Sequence, residues 1–317
     1  MTEIFHEIAG NEVPDRASGG FLTAAAGIKL RYGRFETDVR PHKGTVILLN
    51  GRNECIEKYF ETVGDLTRRG FDVATMDWRG QGGSDRLRRM VGRGHVRSFD
   101  DYVQDLEQFF QEIVLPDCKA PFYILAHSTG ALIALLASPA LTNRVRRMVL
   151  LAPFLTYAGS TLSPQSIRRI AKLLTWLYLG RMYGLGRPRR SAMPFERNIL
   201  TSDPARYERN VRLYETFPQL AAGDPTVAWI RAAFEAVRTI NDPAFMAAVK
   251  VPILFVAAGF DQVVSTRAID AYARRMRAGS LLTIDGAQHE ILQEADRFRE
   301  QFFAAFDAFV PGSGEYV

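Results

Sequence analysis

Cysteine is nearly absent: Cys55 and Cys118 are the only two in 317 residues. They are too few for a disulfide framework and are not spaced as metal ligands, so they read as reduced thiols of a cytosolic protein, with Cys55 as filler beside a loop. No run of about 20 apolar residues occurs, which excludes a membrane-spanning helix. The opening stretch MTEIFHEIAGNEVPD is acidic and lacks a basic segment followed by an apolar one, so no secretory signal is expected. Heptads, internal repeats, a Walker loop and a dinucleotide fingerprint are all missing, which removes the coiled-coil, solenoid and common nucleotide-dependent classes. Excess charge is also scarce. The net is +5 with a pI near 9.3, and that value alone does not choose among nucleic acid, an anionic membrane and an anionic substrate.

What is present is an ordinary globular composition, 47% hydrophobic and 24% charged, in a chain long enough for one large core with an inserted lobe. FLTAAAGIKLRYGRF (21–35) reads as two short strands about a turn at Gly27. TVILLN, FDVATMD, FYILA and MVLLA then read as buried strands near 46–49, 72–76, 122–126 and 148–152. Helical spacing separates them, as at Tyr59, Phe60, Val63 and Leu66, and again from a Ser98 cap through Phe99, Tyr102, Leu106, Phe109 and Ile113. This alternation predicts an α/β fold with a mostly parallel central sheet flanked by helices. From 154 to 240 no buried strand is expected, only amphipathic helices. The alternation resumes with PILFVAAG and LLTID, followed by a Phe-rich helix. The predicted organisation is therefore an α/β core in two parts, 1–153 and 241–317, around a helical lid at 154–240.

The stretch YILAHSTGALIALLAS places His127 and Ser128 where an apolar strand gives way to an apolar helix. A serine on so sharp a turn needs small neighbours, which is the logic of the nucleophile elbow, met here as Ala126-His127-Ser128-Thr129-Gly130. A serine hydroxyl needs a base, and the base needs an orienting acid. In open parallel sheets such groups gather at the carboxyl ends of the strands. Asp261 follows PILFVAAGF, and His289 follows LLTIDGAQ. Asp261 also suits a helix N-cap, and Asp285 is a rival acid in the His289 loop. His127 is expected to orient the elbow, and His95 to be loop structure. For the oxyanion, the backbone N–H of Thr129 and that of Arg52, after Gly51, are the expected donors.

Taken together, LAHSTG, DWRGQGGSDR, GHVRSFDDYVQDLEQF, GFDQVVS and GAQHEIL make the chain resemble the α/β-hydrolase superfamily. Within it, the lid stretches NILTSDPARYERN and PTVAWI resemble the lysophospholipase L2 and monoacylglycerol lipase branch. The resemblance covers roughly residues 20–308 and implies the α/β-hydrolase fold with Ser128 as nucleophile, Asp261 as acid, His289 as base, and Arg52 and Thr129 as oxyanion donors. Asn50 stands where the family often has His, and Ala126 where it often has Gly. Asn50, Gly51, Trp176 and Tyr183 are candidate substrate contacts.

The substrate reading rests on the lid. Between Ser166 and Arg212 there are eleven Lys and Arg against three acids, interleaved with Leu173, Trp176, Leu177, Tyr178, Met182 and Tyr183. An apolar face flanked by basic residues suits an anionic bilayer surface; it suits equally a pocket for one acyl chain below a phosphate, or a solvated lid. The leading expectation is ester hydrolysis of a single-chain glycerolipid, a lysophospholipid, in the cytoplasm or peripherally at the inner face of the membrane. The alternatives are a mono- or diacylglycerol lipase or general carboxylesterase, and a non-catalytic binder on the same scaffold. No metal, organic cofactor or nucleic acid partner is expected; the oligomeric state is left open.

Overall fold

Runs of β-branched and aliphatic residues form the central strands because they fit a pleated surface covered on both sides, and partly exposed strands complete the sheet at its edges. In the computed structural model, which describes residues 4–86, 92–184 and 193–310, these are β1 (Ala17–Ala24), β2 (Ile28–Phe35), β3 (Thr45–Leu49), β4 (Asp72–Met76), β5 (Phe122–His127), β6 (Val145–Leu151), β7 (Ile253–Ala258) and β8 (Gly279–Ile284). They form one sheet in the order β1-β2-β4-β3-β5-β6-β7-β8. β1 pairs antiparallel with β2, and β2 with β4. Every later pairing is parallel. This is the expected mostly parallel sheet, with β6 and β8 beginning two or three residues earlier than the sequence pattern suggests.

The period of two along each strand sorts the core into two layers. Ile47, Leu49, Ile124 and Phe255 face the layer containing Leu106 and Phe109 of α2 (Asp100–Phe109), which continues through a wide π-type turn into the short α3 (Leu115–Asp117). The same layer holds α4 (Ser128–Leu141) and α7 (Val227–Ile240), the latter followed by the short α8 (Pro243–Ala248), and also α9 (Thr266–Ala273). On the other face Val46, Leu48, Leu125 and Val256 meet α1 (Phe60–Arg68) and the phenylalanines of α10 (Asp296–Phe309). The Ser98 hydroxyl accepts from the Asp100 amide at 3.2 Å, just outside α2 rather than at its cap position.

Between β6 and β7 lie α5 (Pro164–Trp176), α6 (Pro204–Thr216) and α7. The three differ in burial. α5 buries only Ala171, whereas α7 buries Trp229, Phe234 and Ile240 in the core. α6 is tied to the core by charge: Glu61 of α1 receives Arg206 at 2.6 Å and Arg209 at 2.7 Å from α6, and Arg299 at 2.8 Å from α10. Two of the lid's basic residues are thus committed to an internal ion cluster, and Arg168 pairs with Glu235 at 2.9 Å. Arg187, Arg189 and Arg190 lie outside the described residues.

Burial works against a charge on Glu61, but the three arginines hold its carboxyl at about 2. A carboxylate depressed in this way contributes stability above its unfolded value, about 4.3, and loses it as pH falls through about 2. Glu61→Gln is therefore expected to lower the unfolding free energy by about 2 kcal/mol at pH 7. The difference from wild type should close as pH is lowered toward 2, as read by chemical denaturation.

Candidate active site

The carboxyl ends of five neighbouring strands, β3, β5, β6, β7 and β8, form the rim of the site. Ser128 follows β5 and opens α4 with φ +51°, a left-handed conformation for a side chain that rarely adopts it. The strain is held from both sides. The amide of Phe154, just beyond β6, donates to the Ser128 carbonyl at 3.1 Å. The helix then passes so close to the end of β3 that a Cβ on Gly130 would stand 2.6 Å from the Leu49 carbonyl oxygen. That approach accounts for the small residues of the elbow, and Ala126 at the other Gly position is fully buried without conflict.

His289, on the loop after β8, reaches Ser128 Oγ with Nε2 at 3.1 Å and Asp261 Oδ2 with Nδ1 at 2.8 Å. The three residues expected from three separate strand ends are thus joined in one hydrogen-bonded chain, the Asp261 carboxylate fully buried. The two sequence readings of Asp261 prove compatible. Its Oδ1 caps the following turn by accepting from Val263 and Val264 at 2.8 and 2.9 Å, leaving Oδ2 for the histidine. Asp285 is exposed.

The candidate oxyanion amides are related by strand register. Leu49 of β3 pairs with Ala126 of β5, and Arg52 and Thr129 each lie three residues beyond. Thr129 is in the first turn of α4, where an amide has no intrahelical acceptor. Gly51 is fixed by its amide to Glu54 Oε2 and by its carbonyl, which accepts from Gln81 Nε2 at 2.8 Å.

The structure places three of the candidate substrate contacts as follows. Asn50 is buried and turns inward, donating to the Met76 carbonyl at 3.3 Å and to Asp77 Oδ1 at 3.4 Å. Trp176 is 74% exposed at the end of α5, because the helix presents only a narrow face to the core. Tyr183 lies under the guanidinium of Arg93, 4.8 Å from its ring centre. His95, as expected, serves its loop, with Nδ1 2.9 Å from Thr226 Oγ1. Cys55 is buried and its thiol is pushed well above the ordinary value, first by burial and then by Glu57 and Asp77, which makes it inert.

The sequence reading missed a buried charge cluster behind the site. Lys58 Nζ lies 2.9 Å from Glu54 and 2.6 Å from Glu290. Glu54 Oε2 also takes Tyr59 Oη at 2.6 Å and lies 3.2 Å from His127 Nδ1. His127 Nε2 is in turn 3.2 Å from the carbonyl of His289. Both ring nitrogens thus face acceptors, which only the imidazolium satisfies. Burial opposes that charge, but Glu54 raises His127 above its ordinary value. Burial likewise opposes ionisation of Glu54, yet Lys58 and His127 hold it well below the carboxylate range. The signal was present in NECIEKY, where charged residues recur at helical spacing next to apolar ones.

Residues 40–296 match the family described as Hydrolase_4, serine aminopeptidase, S33. The chain belongs to this family. It is 35% identical to lysophospholipase L2 of Escherichia coli K12 over 88% of this chain and 83% of that one. It is 27% identical to the probable lysophospholipase L2 of Haemophilus influenzae over 92% and 91%. A soluble variant of monoglyceride lipase from Saccharomyces cerevisiae, solved with a substrate analogue, superposes with a TM-score of 0.72 at 18% identity, covering 94% of this chain and 95% of that one. The expected α/β-hydrolase fold is thereby established, and with it an ester-hydrolysing serine hydrolase.

A histidine with a raised pKa contributes stability that is complete below its unfolded value, about 6.5, and lost as pH rises through the folded one. The melting temperature of wild type should accordingly fall as pH rises above about 6.5. Glu54→Gln, which removes one partner of a buried pair, is expected to cost about 3 kcal/mol at pH 6 and to flatten that dependence.

Proposed function

We propose that the protein is a lysophospholipase, cleaving the fatty-acyl ester of a single-chain glycerophospholipid with Ser128, His289 and Asp261 as its triad. The observation that carries this reading is the unbroken chain Ser128–His289–Asp261 in a protein 35% identical to lysophospholipase L2.

In this mechanism His289 Nε2 takes the Ser128 proton as Oγ attacks the ester carbonyl carbon, and Asp261 stabilises the imidazolium through Nδ1–H. The oxyanion is received by the amides of Arg52 and Thr129. Collapse expels the glycerophosphodiester alkoxide, which takes the proton from His289 and leaves an acyl-Ser128 ester. Water, deprotonated by His289, then releases the fatty acid. No step calls on a group beyond these side chains, amides and water.

Aminopeptidase chemistry, named in the family description, calls for carboxylates at the mouth of the site to hold a free amino group. Here Glu54 and Glu290 are spent on Lys58 and His127, and the residue beside the elbow is Arg52. That balance favours an anionic substrate.

The segment 154–240 serves as the lid in this reading, with α7 as its buried root. Its outer face exposes Leu173 (56%), Trp176 (74%), Tyr178 (95%) and Met182 (55%), with Arg169, Lys172 and Arg181 beside them. Among the described residues no helix is long and apolar enough to cross a membrane, so the contact we propose is peripheral, with an anionic lipid surface at the inner face of the membrane.

Two outcomes are expected. Ser128→Ala should lose fatty-acid release from 1-oleoyl lysophosphatidylethanolamine by about 10⁵-fold or more while remaining folded; retained release would overturn the triad assignment. In co-sedimentation, the protein should bind phosphatidylglycerol vesicles more tightly than phosphatidylcholine vesicles, with the preference lost at high salt. Trp176→Glu should weaken binding to both; equal binding of the variant would remove the lid from the contact.

A further inference from the structure

Arg52 is singled out by what its side chain does not have. Most other arginines in the interior meet carboxylates: Arg31 sits between Glu57 and Asp77, Arg79 reaches Asp105, and Arg206 and Arg299 share Glu61. Arg52 forms no ion pair among the described residues. Its one hydrogen bond runs from Nη1 to the carbonyl of Gly223 at 2.7 Å, and its guanidinium lies 5.9 Å from the ring centre of Trp229. Burial pulls its pKa below the ordinary value, against the pull of Tyr157 and Asp224. A guanidinium carries five N–H donors in a planar fork, and this half-buried one spends a single donor on the protein among the described residues.

A row of aromatic rings links this charge to the elbow. Trp229 packs against Phe154 with ring centres 6.1 Å apart, and Phe154 packs against Tyr157 at 5.0 Å. Phe154 is the residue whose amide holds the Ser128 carbonyl. The guanidinium therefore lies over the aromatic wall that begins at the elbow, and the backbone amide of the same residue is the candidate oxyanion donor. One residue reaches the ester with its main chain and extends a cation away from it. In a lysophospholipid the ester and the phosphate are likewise joined by a short spacer, the glycerol backbone, comparable in length to an extended arginine side chain.

We propose that the Arg52 guanidinium binds the phosphodiester of the substrate, making this residue the one that separates lysophospholipids from neutral monoacylglycerols. The inference deepens the lysophospholipase reading and rests on it. A planar fork suits a phosphate bidentately. A neutral glycerol hydroxyl in the same position offers the half-buried cation no counter-charge, so discrimination arises from the attraction for the phosphate.

The test compares kcat/KM for 1-oleoyl lysophosphatidylethanolamine and 1-oleoylglycerol, each in the same neutral detergent micelles, for wild type, Arg52→Met and Arg52→Lys. The backbone amide is retained in every variant and serves both substrates, so the ratio isolates the side chain. Arg52→Met is expected to lower the phospholipid-to-acylglycerol ratio at least about tenfold, mainly through KM, and Arg52→Lys to fall between. An unchanged ratio overturns the inference alone. An equal loss on both lipids also overturns it, since the guanidinium would then act on the oxyanion or on the loop that holds it. A wild-type protein that cleaves neither lipid overturns the lysophospholipase reading and this inference with it.

Discussion

The site depends on one buried ammonium group. Lys58 stands between Glu54, on the loop after β3, and Glu290, on the loop after β8, so a single cation joins strand ends on opposite sides of β5. Two carboxylates and one ammonium leave a net negative charge away from water, a costly state unless it is neutralised. His127 supplies the missing proton. Its imidazolium meets Glu54 with one nitrogen and the His289 carbonyl with the other. Charge balance in the interior thereby becomes positional control: the group that completes the cluster also holds the backbone of the residue that must reach Ser128.

The opposite side of the elbow is held by packing and backbone hydrogen bonds. The left-handed backbone at Ser128 lifts its Oγ out of the strand, and the absence of a side chain at Gly130 lets α4 start directly against β3. The same close approach sets Thr129 beside the loop that carries Arg52. A side chain at Gly130 would push the helix away and open that gap, so the requirement for glycine lies in the distance between two amides as much as in the turn.

The sheet and the chain from Ser128 to Asp261 were legible in the sequence for a common reason: both are set by where strands end, and strand ends are marked by apolar runs giving way to Gly, Asp and Ser. What was not legible depends on the direction a side chain takes once the loop is built. Asn50 stands one residue from the oxyanion loop yet turns inward, because Asp77 and the Met76 carbonyl lie there to receive its amide. Trp176 belongs to an amphipathic pattern whose apolar side faces outward, a distinction that periodicity cannot make. The lid's basic residues misled in a similar way. Counting them hid the fact that Arg206, Arg209 and Arg168 already have carboxylate partners on α1 and α7.

Beside those pairs, two positive features of different kinds stand out among the described residues. Arg169, Lys172 and Arg181 stand on the outer lid in water, where their field reaches about 8–10 Å at physiological salt and weakens as salt is added. Such charges gather an anionic lipid surface without selecting one molecule from it. Arg52 is half-buried beside the Trp229 ring, where counter-ions screen less than on the outer lid and where contact with a phosphate requires fit. In the proposed reading the outer set would govern encounter and the inner residue choice, and only the second would persist when the first is screened away. A protein of modest net charge can favour anionic lipid in this way because the position of a few unpaired cations, rather than their number, decides what they recognise.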